Sequence, residues 1–354
     1  MKLHRKIFYL IVATMFLMVP VSFAAQKNEP KPIAFGDVQL QRIHHDENLL
    51  PDVGHAGFGS LLIDSHGKVA MHDGKKTWLY TTGLFESPTG GQRDWYGKWV
   101  SHVREFDTQT LVTTEKQVAL GLSGKETWAV IHHALQIRDD LFVVFYSTNG
   151  GVKAAVNNRP DGLFTTDASF KLEVTEDWEK EGGEKDSLES TGGHVLIEET
   201  EKDITFWLLY DSYHVDQTRG ELGWAKVRVD KKTRNVELVE KHKDNPLPLR
   251  PENYIAARSG GNAGDVILGG KHAFFYYTRP TRNIILLSAA LSPDPLFFKD
   301  ITNRVEIDTV LGTEQVIEKF EAYVLDNTLY IIYENKLATG HWGTGIRLYE
   351  IMEQ

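Results

Sequence analysis

The sequence has no cysteine, so it can form no disulfide and offers no thiolate nucleophile or thiolate metal ligand. Positive charge is also scarce: 39 Lys and Arg stand against 49 Asp and Glu, a net charge of −10. With no basic tract in the chain, nucleic acid and anionic membranes are not expected partners. After the first 24 residues, no apolar run reaches the length of a membrane span.

Residues 1–24 are predicted to be a secretory signal peptide. Three basic residues precede an apolar run over residues 7–23, which Pro20 interrupts, and Ser22-Phe23-Ala24 offers small residues at the two cleavage positions. Cleavage would remove three positive charges and no acids, which takes the net charge from −10 to −13. An uncleaved anchor is the alternative. The mature protein is therefore expected in the bacterial periplasm or outside the cell, with no membrane contact.

A short aromatic strand recurs five times along the chain, as TWLYTT, FVVFYS, FWLLYD, FFYYTR and YIIYEN. Each closes on a tyrosine followed by a polar residue, and the tyrosines are 66, 64, 67 and 56 residues apart. These tyrosines are Tyr80, Tyr146, Tyr210, Tyr277 and Tyr333. A unit that returns at a near-constant period is typical of a radial repeat fold.

Each unit has the same order of parts. An apolar strand comes first, then a turn that contains Gly or Asp, then the aromatic strand and a third strand. Most units add a fourth strand that is more polar. This order predicts an all-β fold, a five-bladed β-propeller with four antiparallel strands per blade. Residues 25–37 form a leader, and residues 38–354 form one propeller domain in which a strand at 38–43 closes the last blade. A β-sandwich is the structural alternative, but it would not predict a five-fold return. Two longer insertions, residues 84–97 and 176–190, are predicted to be surface loops, the second of them solvated.

Polar side chains near the start of each first strand are expected to meet at one end of the central channel. The candidates are Asp64 and His66 in blade 1; Trp128, His132 and His133, preceded by Glu126, in blade 2; Glu189 and His194 in blade 3; Arg258 and Asp265 in blade 4; and Glu318, Glu321, His341 and Trp342 in blade 5. Charged groups in a narrow channel cost stability unless they serve a function, so their coincidence in five blades indicates a site.

Two carboxyl groups facing each other across a cleft are what glycosidic cleavage requires. One is kept protonated to donate to the leaving oxygen, and the other activates water or attacks carbon. We expect Asp64, Glu189, Asp265 and Glu321 to supply them. Trp95, Trp128 and Trp342 suit stacking on sugar rings, although Trp128 serves equally well as a core residue.

The blade pattern resembles that of the five-bladed glycoside hydrolases, the relatives of family 43 arabinanases and xylosidases and of family 117 anhydrogalactosidases. The best local match is GGVKAAVNNRPDGLF, residues 150–164. The resemblance implies an Asp base in blade 1, for which Asp64 is the nearest candidate, and a Glu acid in blade 3, for which Glu189 is the candidate. It also implies a tuning Asp in blade 2, where this chain has His132-His133 instead, and the family's Asp-Pro opening of blade 1 is missing.

Three functions stay open from the sequence. The first is an exported glycoside hydrolase that needs no cofactor and acts on a polysaccharide or oligosaccharide; it predicts that Glu189 and an Asp of blade 1 or 4 converge within roughly 5–10 Å. The second is a non-catalytic carbohydrate-binding propeller, with scattered carboxylates and an aromatic floor. The third is a metal-dependent hydrolase on the same scaffold, in which at least three of His66, His132, His133 and His194 converge; a structural Ca²⁺ or other divalent ion in the channel is a related option.

Overall fold

The computed structural model describes residues 31–50, 59–85, 97–149, 151–180, 187–213, 220–254, 256–261, 266–281, 284–311, 317–336 and 342–353. The predicted signal peptide lies outside these residues and stays a prediction. Within the described residues the chain is nearly all strand, and its one helical element is a 3-10 turn at Asp177–Glu179. No described helix is long and apolar enough to cross a membrane.

The strands are grouped here into five antiparallel arrays, numbered in chain order. The first strands of the arrays contact one another and are called the inner strands. Two N-terminal strands, β1 (Ile33–Phe35) and β2 (Val38–Asp46), precede array 1. Array 1 contains β3 (Gly59–Asp64), β4 (Lys76–Leu84), β5 (Trp99–Asp107) and β6 (Gln117–Leu120). Array 2 contains β7 (Val130–Arg138), β8 (Leu141–Thr148), β9 (Gly151–Asn157) and β10 (Thr165–Leu172).

Array 3 contains β11 (Ser187–Glu199), β12 (Asp203–Tyr213), β13 (Leu222–Asp230) and β14 (Val236–Lys241). Array 4 contains β15 (Ala256–Gly261), β16 (Ile267–Leu268), β17 (Lys271–Thr281), β18 (Ile284–Ser292) and β19 (Thr302–Leu311). Array 5 contains β20 (Ile317–Leu325), β21 (Thr328–Lys336) and β22 (Trp342–Glu353), beside which β2 and then β1 pair.

The arrays join into three hydrogen-bonded sheets because two pairs of inner strands are linked in parallel. Leu62 to Asp64 of β3 pair with Ala134 to Gln136 of β7, which joins arrays 1 and 2. Gly192 of β11 pairs with Gly261 of β15, which joins arrays 3 and 4. Parallel pairing means that these inner strands start at the same end of the molecule. This shared start determines where the polar candidates can meet.

The five predicted aromatic strands each pair directly with the inner strand of their array and are called the second strands: β4, β8, β12, β17 and β21. Every residue of β8 is buried, because neighbouring arrays cover both faces of array 2. Leu135 of β7, Phe145 of β8 and Phe206 of β12 belong to one core cluster, and the rings of Phe145 and Phe206 meet at 5.9 Å across arrays 2 and 3. Burying such side chains contributes about 1.5–3 kcal/mol each.

The recurring tyrosines are at most 2% exposed, and their hydroxyl groups tie distant parts of the chain together. Tyr80 donates to the carbonyl of Pro160 at 2.8 Å, and Tyr210 donates to Glu179 Oε1 at 2.8 Å. Glu179 lies in the segment 176–190 that was predicted to be a solvated loop, yet it is completely buried. That prediction is wrong for Glu179, because Tyr210 and Lys241 hold its carboxylate in the interior.

Candidate functional site

The inner strands define two ends of the molecule. We call the end where β3, β7 and β11 begin the entrance end, and the end where they finish the far end. At the far end Ser65, just after β3, donates its hydroxyl to Glu199 Oε2 at 3.0 Å, and Glu199 is the last residue of β11. The inner strands β3 and β11 therefore run in the same direction, as β3 and β7 do.

Buried polar side chains collect at the entrance end, on the starts of first strands, the ends of second strands and the third strands beside them. Each is less than 9% exposed, and the set is Thr81, Thr82, Ser101, His102, His132, Ser147, Thr148, Glu189, Asp211, Ser212, Thr278, Arg279 and Thr344. Burying so many polar groups costs free energy unless they bond to one another or to a ligand. This concentration identifies the entrance end as the candidate site.

Glu189 and Asp211 form the acidic centre of this site. Glu189 is the third residue of β11 and is 5% exposed, and Asp211, near the end of β12, is completely buried. They are directly opposite each other in the antiparallel register of β11 and β12. Directly opposed residues carry their Cβ atoms on the same face, about 4.5–5.5 Å apart. Glu189 and Asp211 are therefore neighbours on one face of β11 and β12, and both side chains are buried.

Glu321, also predicted to be catalytic, is completely buried on β20 among the inner strands. Its Oε2 accepts from the hydroxyl of Tyr323 and from Ser60 Oγ at 3.4 Å, while its Oε1 has no partner among the described residues. A Cβ at Gly192 of β11 would collide with the Glu321 carboxyl group. Burial raises the pKa of Glu321 well above its usual value, and the two hydroxyls oppose this rise only in part. With no exposure to solvent, Glu321 is not placed to transfer a proton to a substrate.

His133 and His194 contact each other in the core and not at a metal. His194 Nε2 donates to the carbonyl of Ser65 at 3.0 Å, so its Nδ1 is an acceptor, and His133 Nε2 donates to it at 3.1 Å. Burial lowers the pKa of His133 well below its usual value and that of His194 to about 4. Both rings are therefore neutral at pH 7 and pack against Phe145 and Phe206.

Asp64 and His66 lie at the far end, not beside Glu189. Asp64 is the last residue of β3, and its Oδ1 accepts from the backbone N–H groups of His66 and Lys68 at 2.9 Å each. The Ser65 carbonyl bonds to His194, which follows Glu189 by five residues on β11, a span of about 15 Å of strand. The expectation that Asp64 converges with Glu189 is therefore wrong, because Asp64 caps the turn that ends its strand.

Some of the remaining candidates have described side chains, and others do not. His132 is 1% exposed on β7, and Trp128 is half-buried beside Trp99, with which it forms a parallel bridge. Glu126 binds Lys153 Nζ at 2.6 Å and lies 3.5 Å from the hydroxyl of Tyr146, so it belongs to a structural cluster. Trp95, Asp265 and His341 lie outside the described residues, and the side chains of Arg258, Glu318 and Trp342 are not described.

No group of three or more His, Asp or Glu side chains among the described residues is arranged to hold a metal ion. The three-histidine site of the metal alternative is not formed by His66, His133 and His194, because His66 is exposed at the far end while the other two bond to each other. Sequence reasoning missed Asp211, although it stood at the polar position after the recurring tyrosine in FWLLYD. The structure shows that this position lies directly beside the start of the inner strand.

Comparison with known proteins supports the fold. No protein-family model matches the chain, and no curated protein matches its sequence. A solved structure described as a glycoside hydrolase is 12% identical, with 90% of this chain and 92% of that chain covered and a TM-score of 0.50. A thermostable family-43 glycoside hydrolase is 12% identical, with 85% and 90% covered and a TM-score of 0.47. An α-L-arabinofuranosidase from Podospora anserina, solved in complex with cellotriose, is 10% identical, with 89% and 97% covered and a TM-score of 0.49.

At these identities the likeness shows the fold alone. The chain has the β-propeller fold found among glycoside hydrolases, and the resemblance predicted from the blade pattern is confirmed at that level.

Proposed function

We propose that this protein is a glycoside hydrolase that acts on a polysaccharide or oligosaccharide at the entrance end of a five-bladed propeller, with each array as one blade. The observation that carries the proposal is the buried pair of Glu189 and Asp211 at the start of array 3. The fold shared with a glycoside hydrolase supports the reaction class by analogy.

Glu189 is the proposed general acid, which protonates the oxygen of the leaving sugar. Asp211 is held beside it by the register of β11 and β12. The carboxylate that activates water or attacks carbon is Asp211 itself or Asp265; the role of Asp265 stays a prediction.

The histidines of the entrance end are proposed to bind sugar hydroxyls and not a metal. His132 and His102 are buried at this end, and imidazole rings can exchange hydrogen bonds with the hydroxyl groups of a carbohydrate. The reaction assigned to carboxyl groups needs no cofactor, so activity is expected to survive treatment with EDTA. Loss of activity in EDTA, restored by Ca²⁺ or Zn²⁺, would favour the metal-dependent alternative.

We further propose that the chain is exported after cleavage behind Ala24, since its sugar would be found outside the cell. The measurement is the N-terminal sequence of the protein recovered from periplasm and culture medium. A protein that retains residues 1–24 in the membrane fraction would instead be anchored.

The test of the reaction is hydrolysis of plant, algal and bacterial polysaccharides and aryl glycosides by the wild type and Glu189→Gln. Loss of a general acid is expected to reduce kcat by about 10²-fold or more. The matched control is Glu198→Gln, an exposed carboxylate on the same strand, which should leave the rate unchanged.

Asp211→Asn and Asp265→Asn then locate the second carboxylate. Activity that survives in Glu189→Gln would remove this residue from the mechanism. Binding of a sugar without turnover of any substrate would point to the non-catalytic carbohydrate-binding propeller.

A further inference from the structure

Glu321 stands where several inner strands approach one another. Its own strand is β20; its Oε2 contacts Ser60 of β3, and its carboxyl group fills the space that a side chain at position 192 of β11 would need. Gly192 in turn pairs with Gly261 of β15. A glycine at position 192 is thus what allows a carboxyl group to lie between these strands.

Among the described side chains, none supplies a positive charge to the Glu321 carboxyl group. Tyr323 on its own strand and Ser60 on β3 supply hydroxyls only. The titratable and charged residues with described side chains on the other packed strands are Asp64 on β3; Glu189, His194, Glu198 and Glu199 on β11; Lys271, His272, Tyr276, Tyr277 and Arg279 on β17; and Tyr330, Tyr333 and Glu334 on β21. None of these is joined to Glu321 by an ion pair or hydrogen bond in the part of the chain that the structure describes.

A fully buried carboxylate without a cation is far less stable than the neutral acid. In the ionised form, Oε1 would carry charge against the backbone of Gly192 with no donor to receive it. The ionised group would need water or a displaced strand, and the strand in contact with it is β11. Gly192 is three residues from Glu189, inside the irregular stretch between Ser190 and His194 where the register of β11 shifts.

We propose that Glu321 works as a neutral carboxylic acid and is the positioning residue that fixes the backbone of β11, so that Glu189 keeps its place beside Asp211. The proposal rests on the function proposed above for Glu189. Its consequence is that the site is correctly built only while Glu321 carries its proton. Ionisation of Glu321 contributes to the fall of activity at high pH although this residue never touches the sugar.

The test compares kcat/KM across pH 5–10 for the wild type and Glu321→Gln, on whichever substrate Glu189→Gln fails to hydrolyse. Glutamine has the shape of the neutral acid and cannot ionise. The ratio of kcat/KM at high pH to that at pH 6 is expected to rise, with the alkaline limb moving up by about one pH unit or more. The effect should appear in kcat, since the sugar contacts are untouched.

Glu179→Gln is the matched control, because Glu179 is equally buried but bonded to Lys241. It should lower stability and leave the alkaline limb in place. Tyr323→Phe is the second variant: it removes a hydroxyl that favours the ionised form of Glu321, so it should move the limb in the same direction as Glu321→Gln.

The outcomes separate this inference from the proposed function. If Glu189→Gln abolishes hydrolysis but the pH profiles of Glu321→Gln and Tyr323→Phe coincide with that of the wild type, the positioning role is wrong and the function stands. If Glu189→Gln hydrolyses every substrate as the wild type does, Glu189 is not the acid, and this inference fails while the hydrolase activity stands. If the wild type hydrolyses no substrate, the proposed function itself fails. A Glu321→Gln protein that does not fold leaves Tyr323→Phe to decide the question.

Discussion

Glu179 and Glu321 are both completely buried, but their surroundings are opposite. The Glu179 carboxylate receives both the Lys241 ammonium group at 2.6 Å and the Tyr210 hydroxyl at 2.8 Å, and the backbone N–H groups of Thr175 and Glu176 also donate to it. One oxygen of Glu321 accepts hydrogen bonds from two hydroxyl groups, and the other has no hydrogen-bond partner among the described residues. The first environment stabilises a negative charge, and the second stabilises a neutral acid.

Burial alone therefore does not determine whether a carboxyl group has a structural or a functional role. The Glu179 arrangement recurs in array 2, where Glu126 binds Lys153 at 2.6 Å and lies near the hydroxyl of Tyr146. A tyrosine, a glutamate and a lysine thus join neighbouring segments in two arrays, which indicates a structural role. The Glu321 environment has no such cation among the described residues, and Glu321 contacts β11 at Gly192, three residues after the proposed acid.

The largest effect is expected from Lys241→Met. This change leaves the Glu179 carboxylate buried without its cation, and breaking a buried ion pair from one side costs about 3–5 kcal/mol. The free energy of unfolding from urea denaturation measures it. Lys226→Met, which removes an exposed pair with Glu240, should change the same quantity by less than about 1 kcal/mol. Equal losses in the two variants would mean that the environment of Glu179 is not special.

Gly192→Ala is expected to come next. The added methyl group would collide with the Glu321 carboxyl group, and overpacking of this kind typically costs about 1–3 kcal/mol. The loss should shrink when Glu321→Ala makes room, so a double-mutant cycle in urea denaturation should give a clear coupling energy. Additive losses would show that Gly192 and Glu321 do not compete for one space.

A smaller effect is expected in the slope of stability against pH, which should change in Glu321→Gln but not in Glu179→Gln. The folded-state pKa of Glu321 is raised, so above about 4.5 the unfolded chain loses a proton that the folded protein keeps. Stability contributed by this group therefore falls as pH rises, by at most about 1.4 kcal/mol per pH unit. Glu321→Gln should remove this fall between pH 5 and 9, whereas Glu179→Gln should not. An unchanged slope in Glu321→Gln would mean that Glu321 is already ionised in the folded protein.

The last effect covers the narrowest pH range and concerns the acid side of the stability profile. The pKa of His194 is lowered to about 4 from its ordinary 6.5, so below pH 6.5 the unfolded chain gains a proton that the folded protein does not. Stability should fall from pH 6.5 to 4, with a slope of at most about 1.4 kcal/mol per pH unit from this residue. His194→Gln should flatten that slope, and the exposed His66→Gln should not. Identical slopes in both variants would contradict the neutral histidine pair.

The strands were predictable from sequence, and the ends of the strands were not. The recurring aromatic segment predicted β4, β8, β12, β17 and β21, because alternating and aromatic β-prone residues determine strands locally. The position of Asp64 was not predictable in this way. Asp64 was predicted near the start of an inner strand. It is instead the last residue of β3, and the turn from Asp64 to Lys68 follows that strand.

Glu189 was identified as a candidate from its place near the start of a first strand, and the family resemblance implied its role as the acid. Its neighbour Asp211 was not identified, although both residues were equally visible in the sequence. The pairing depends on the register of β11 with β12, which includes two irregularities that no local pattern reveals. Similarly, the segment around Glu179 reads as a solvated loop because it is charged and rich in glycine. Its burial depends on Lys241 and Tyr210, which are remote in sequence.

The pairing of β2 with β22 has a consequence for the order of folding. Val38 pairs with Glu353 and Asp46 with Ile346. The early strand β2 can therefore pair with β22 only after the end of the domain has been synthesised. Array 5 cannot be completed until β22 has left the ribosome. Until then β2 has one unpaired edge, and such edges recruit other chains. Contacts between residues so distant in sequence also slow folding, so a chaperone that shields the N-terminal strand would raise the yield of the native protein.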